Sequence, residues 1–181
     1  MVLFGRKKGL TSEVNKTPWA PKVDLNTARP AVFALAYTPV SNEMQFHRAI
    51  ADFVHLSGTP SSEDAYRFAQ ALLDDPKVAN RPWVWLAAVM REAAAAGDHH
   101  LAAAGLFWAC HWTSNIVPRN NSGGFVQLDL FPIRPETKEE LLSVGVASAR
   151  QLPEDFLIVG DETGKVQAGP LADLARSQLS L

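Results

Sequence analysis

Cysteine is all but missing from this chain: Cys110 is the one thiol among 181 residues. A lone cysteine excludes an internal disulfide and any thiolate-held metal cluster, and it fits a reducing compartment, so the expected location is the cytoplasm. An excess of charge is missing too. The formal net charge is −2 and charged residues make up 20% of the chain, which gives no reason to expect nucleic acid or an anionic membrane surface as a partner.

Long apolar runs are likewise scarce. The longest stretch without formal charge, residues 99–118, is continuously apolar only from Leu101 to Cys110. That is too short for the roughly 20 apolar residues of a membrane span and suits a buried helix instead. No secretory leader is expected, because apolar Met1–Gly5 precedes Arg6-Lys7-Lys8, the reverse of a charged segment leading an apolar one.

The short motifs of common chemistries are also missing. No His-x-x-x-His, His-Glu-x-x-His, Cys-x-x-Cys or Gly-x-Ser-x-Gly occurs, so no metal site, cofactor or serine nucleophile is expected. Gly160 to Lys165 resembles a phosphate loop only loosely. Its glycines are too close together, and Val166 stands where a magnesium-holding hydroxyl would be needed. A hairpin turn explains the same glycines. Asn120-Asn121-Ser122 matches a glycosylation acceptor by chance if the chain is not secreted.

What the chain does have is apolar content, 47% of its residues, enough at this length for one domain with a real core. Four of the five tryptophans, Trp83, Trp85, Trp108 and Trp112, fall within 30 residues. A helix is expected from about residue 42 to 57, with Phe46, Ala49, Ile50, Phe53 and Val54 at helical spacing and Gly58 as its stop. Thr59-Pro60 starts a second, with Ala65, Phe68, Ala69 and Leu72 as its buried stripe. A third runs from Pro82 to Gly97 and a fourth from His99 to about Asn115.

Such short connections make antiparallel neighbours, hence two hairpins and a compact four-helix core. An offset of 39 positions aligns the two hairpins, pairing Phe46 with Trp85, Gly58 with Gly97 and Phe68 with Phe107. The spacing allows an internal duplication, although any two amphipathic hairpins joined at a glycine align comparably.

Residues 1–30 read as an extended basic arm, with prolines at 18, 21 and 30 and Trp19 as an anchor. Residues 31–37 are equally compatible with a strand or a helix. Beyond Pro118, alternation over Phe125–Phe131 reads as a strand, and Thr137 with Glu140 reads as a capping box opening a helix to about Gln151. A hairpin around residues 160–164 and a helix over 171–179 complete a small unit, residues 119–181, packed on the helical core of residues 31–118. The expected class is α+β, mostly α, with two helical hairpins and a small C-terminal sheet flanked by helices.

Two functional readings follow. The first is a protein-interaction or assembly component, an adaptor or homo-oligomer, docking through Trp83, Trp85, Trp108, Trp112 and Arg119. It rests on helices with almost no polar face, which something must cover. Trp83 and Trp85 lie about 200° apart on a helix, so one face cannot bury both. Trp108 and Trp112 share a face and are expected to stack. The second reading is a small hydrolase or transferase using Glu92, Asp98, His99 and His100 at the turn between the third and fourth helices. The competing structural role there is plain: Asp98 caps the fourth helix and the histidines face water. Cys110, inside an apolar helix, is expected to be a buried, inert thiol.

Overall fold

The computed structural model of the chain describes residues 22–37, 43–58, 80–113, 133–160 and 165–179. In chain order these form α1 (Leu25–Tyr37), α2 (Glu43–Leu56), α3 (Arg81–Ala95), α4 (His99–Thr113), α5 (Pro135–Ala149), β1 (Leu157–Gly160), β2 (Lys165–Gln167) and α6 (Ala168–Leu179). The protein is mostly helical with a two-stranded antiparallel sheet, the α+β class expected. The expected helix after Thr59, the strand at 125–131 and the arm up to residue 21 lie outside the described residues, as does the test of the 39-residue offset.

The turn between α3 and α4 shows why the chain reverses where it does. Gly97 has φ +79, a backbone conformation that glycine alone adopts without cost. Its N–H donates to the carbonyl of Ala94 (3.1 Å), and that of Asp98 donates to the carbonyl of Ala93 (2.8 Å). This pair of bonds closes a Schellman turn and satisfies carbonyls that the end of α3 would leave open. Asp98 then caps α4, accepting the Leu101 N–H at its Oδ1 (3.2 Å).

α4 is the centre of the molecule and packs against α1, α3, α5 and α6. Leu101, Ala102, Ala103, Ala104, Leu106, Trp108, Ala109 and Cys110 are all buried. α5 approaches α4 so closely at Gly145 that a Cβ there would sit 2.5 Å from the Leu106 Cβ, so the position requires a residue without a side chain. One continuous apolar cluster runs from Ala28 on α1 to Ala175 on α6.

Two expectations fail for identifiable reasons. Residues 25–30 are not extended: α1 begins at Leu25 and carries Pro30 inside it. Asp24 caps this helix through Oδ1 to the Asn26 N–H (3.1 Å) and Oδ2 to the Thr27 hydroxyl (2.8 Å). Ala28, Val32 and Leu35 then bury one stripe completely. That burial offsets the roughly 3 kcal/mol that an interior proline costs a helix, and it makes residues 31–37 helical too.

Thr137 does not cap the helix it was expected to open. α5 starts earlier, with Pro135 in its first turn, where the missing N–H costs nothing. Thr137 is buried and accepts a hydrogen bond from Asn80 Nδ2 (3.2 Å), while Asn80 Oδ1 accepts the Arg134 N–H (3.1 Å). Asn80 thus ties the start of α3 to the start of α5, 54 and 57 positions away.

β1 and β2 pair Leu157 with Gln167, Val159 with Val166 and Gly160 with Lys165, with an irregularity between 157 and 159. Ile158 and Val159 are buried, and β1 packs against α1 and α4. Among the described residues, no helix is long and apolar enough to cross a membrane.

Candidate functional site

Trp83, Trp85 and Trp108 are each at most 3% exposed. The expected conflict between Trp83 and Trp85 is resolved inside the chain. Trp85 meets Phe53 of α2 edge to face, with ring centres 5.5 Å apart, and both indoles belong to the common apolar cluster. These three rings supply core volume, and in this arrangement they offer no surface to a partner. The Trp112 side chain and Arg119, the other expected docking residues, lie outside the described residues, and with them the Trp108–Trp112 stack.

The four polar residues at the α3–α4 turn do not converge. Asp98, besides capping α4, forms an ion pair with Arg29 of α1 (2.6 Å). Arg29 also lies over the Phe33 ring, 5.3 Å from its centre. His100 turns toward α1 and the sheet, where its ring stands edge-on to Phe33 and Phe156, with centres 4.8 and 5.1 Å away. Its Nε2 donates to the Ile158 carbonyl (2.8 Å), an atom that can only accept. His100 is therefore a fastener between α4 and β1 and, contrary to expectation, only part-exposed. Glu92 is exposed on α3.

His99 goes the other way. One position along α4, and so about 100° around it, it lines a groove of about 360 Å³ between α3, α4 and α5. Its Nδ1 is shut off from solvent and has no hydrogen-bond partner. The apolar wall of the groove is Ala94, Val144 and Ala147, with Arg91 at its edge. Arg91 Nη1 is held by Glu140 Oε1 (2.5 Å).

No family model matches the chain, and no curated protein or solved structure does either. Geometry alone carries the functional argument.

Two further surfaces belong to the C-terminal unit. A groove of about 530 Å³ is lined by Lys165, Val166, Pro170, Asp173, Leu174 and Ser177. A larger one, about 870 Å³, opens between the end of α5 and the start of α6, with Arg150, Glu154, Asp155 and Asp173 on its walls. Among the described residues, no group of three or more histidine, cysteine or carboxylate side chains is arranged to hold a metal ion. Cys110 is buried in α4, and desolvation pushes its thiol up to about 12, against a slight opposing backbone hydrogen bond. A thiol so placed is not a nucleophile at neutral pH.

Sequence reasoning missed Asn80, Arg29, Phe33 and the Leu174 groove. Arg29 and Phe33 are spaced i, i+4, a signal available only once residues 25–37 are read as a helix.

Proposed function

We propose that this chain is a protein-interaction or assembly component that docks through the outer face of its C-terminal hairpin and α6, with a second copy of itself as the partner. One observation carries the reading: the large apolar side chains left exposed among the described residues, Leu157 (43%) and Leu174 (37%), both belong to this unit. Trp83, Trp85 and Trp108, by contrast, belong to the core. The Leu174 groove supports a second copy as the occupant. It carries Lys165 and Asp173, both exposed, around an apolar centre of Val166, Pro170 and Leu174. A patch with both signs beside an apolar centre is self-complementary about a two-fold axis, each Lys165 meeting the other copy's Asp173.

The compartment we assign is the cytoplasm, on the strength of one buried cysteine in the whole chain. The divergence of Asp98, His99 and His100 into different surroundings favours this reading over a hydrolase or transferase built from those residues with Glu92.

Light scattering and sedimentation over a concentration series test the proposal. Dimer is expected to accumulate with concentration and to be lost in Leu174→Asp. Lys165→Glu and Asp173→Lys are each expected to weaken association, and the double variant to recover it. A monomer up to the solubility limit, or dimerisation indifferent to these three positions, overturns the assignment.

A further inference from the structure

β1 departs from strand alternation at a residue on which the docking face depends. Successive side chains of a strand point to opposite faces, so Leu157 and Val159 belong on one face. Yet Leu157 is 43% exposed and Val159 only 4%. The cause is the irregularity between them. Leu157 pairs with Gln167 and Val159 with the adjacent Val166, so β1 carries an extra residue, Ile158, across that interval. A bulge of this kind re-aims side chains. Continued straight from the turn, where Gly160 pairs with Lys165, the ladder would set Ile158 against Gln167. Leu157 would then turn to the buried side with Val159.

We infer that His100 is the positioning residue that holds this bulge and so keeps Leu157 on the docking face. The inference rests on the reading that the chain docks through that face. His100 Nε2 donates to the carbonyl of Ile158 (2.8 Å), the extra residue itself. The same ring stands against Phe156, with centres 5.1 Å apart, and is backed by Phe33 of α1 at 4.8 Å. Phe156 is also tied through its backbone. Its N–H donates to the Pro153 carbonyl (2.9 Å), and its carbonyl accepts the Ala168 N–H (3.0 Å). β1 is therefore gripped at 156 and 158, which leaves the residue between them the outward side. Without the Nε2 donor, the grip on Ile158 is lost while the turn still favours straight pairing. Leu157 then turns inward, and the second copy loses one of the two apolar side chains it meets.

Thiol labelling of the full chain at dilution reads the strand register apart from association. Cys110 is buried, so Leu157→Cys or Ile158→Cys supplies the reactive group. The first is expected to label fast and the second slowly. Adding His100→Leu is expected to reverse that order and, in the chain without added cysteine, to weaken dimerisation about tenfold. His100→Gln sets an amide nitrogen as many bonds from Cβ as Nε2 and is expected to restore both properties, which mere loss of packing would not predict. Should His100→Leu fail to fold, His100→Asn, whose amide stops one bond short, takes its place. Labelling indifferent to loss of the donor overturns the inference, as does His100→Gln behaving like the leucine variant. A register that switches while dimerisation stays unchanged overturns it too. A wild type that is monomeric at every concentration overturns docking through this face, and labelling by itself then decides whether His100 sets the register.

Discussion

α4 and α6 are both short helices rich in alanine and leucine, yet they do opposite work. α4 touches four other helices and hides nearly every side chain from Leu101 to Cys110. α6 buries one stripe, Ala168, Leu171, Ala172 and Ala175, and leaves Asp173, Arg176 and Ser177 in water. Leu174 lies about 110° from the centre of that stripe at 100° per residue, and it stays 37% exposed. The contrast teaches that aromatic density reports the interior, while an apolar residue out of step with its own helix reports a surface. A helix apolar all round is enclosed by necessity. A helix with one misplaced leucine had a polar choice at that position and did not take it.

If α4 and its partner α3 are core, damage there must be costly. Trp85→Ala removes the ring that meets Phe53 and is expected to destabilise the fold by about 3–5 kcal/mol. Chemical denaturation measures this, and a loss under 1 kcal/mol would place Trp85 at a surface. Asn80→Ala leaves the Arg134 N–H and the Thr137 hydroxyl without their partner. The expected loss is about 1–3 kcal/mol, and a neutral result would mean that water replaces the amide.

Cys110 sharpens the comparison through pH. Its folded thiol is raised to about 12 by burial, so the unfolded chain ionises first as pH rises. The protonated thiol's contribution is complete below the unfolded value, about 8.5–9, and is lost progressively toward 12. Relative to Cys110→Ala, the wild type is expected to lose about 1.4 kcal/mol per pH unit in that window. Parallel stability curves for the two proteins between pH 8 and 10.5 (about one to two units across the unfolded value) would contradict the burial of the thiol.

The smallest effect belongs to α6. Leu174→Ser is expected to change monomer stability by no more than about 0.5 kcal/mol, while weakening self-association. A loss comparable to that of Trp85→Ala would erase the distinction between the two helices.

The helices were legible where local signals agreed. Gly58, Gly97 and Asp98 mark stops and a start that hold to within a residue or two, because a positive φ or an orphan N–H is satisfied by neighbours in the chain. α1 was illegible because Pro30 argues against a helix locally, and only burial against α2 and α4 overrules it. Thr137 satisfied a local capping pattern, yet its hydroxyl was claimed by Asn80 from far along the chain. The candidate site followed the same division. That Asp98, His99 and His100 cluster at a turn is visible in the residue order. That they part company, one to Arg29, one to the Arg91–Ser148 groove and one to Ile158, depends on which helices arrive on each side.

By itself, then, the order of residues determined a mostly helical chain, the turn at Gly97 and the enclosure of α3 and α4, since propensity, capping and apolar periodicity act over a few residues. Only the tertiary structure decided which elements do the enclosing, why both Trp83 and Trp85 can be buried, and that Leu174 faces outward. Those outcomes depend on contacts between segments tens of residues apart, and no local pattern encodes which face a distant helix will cover.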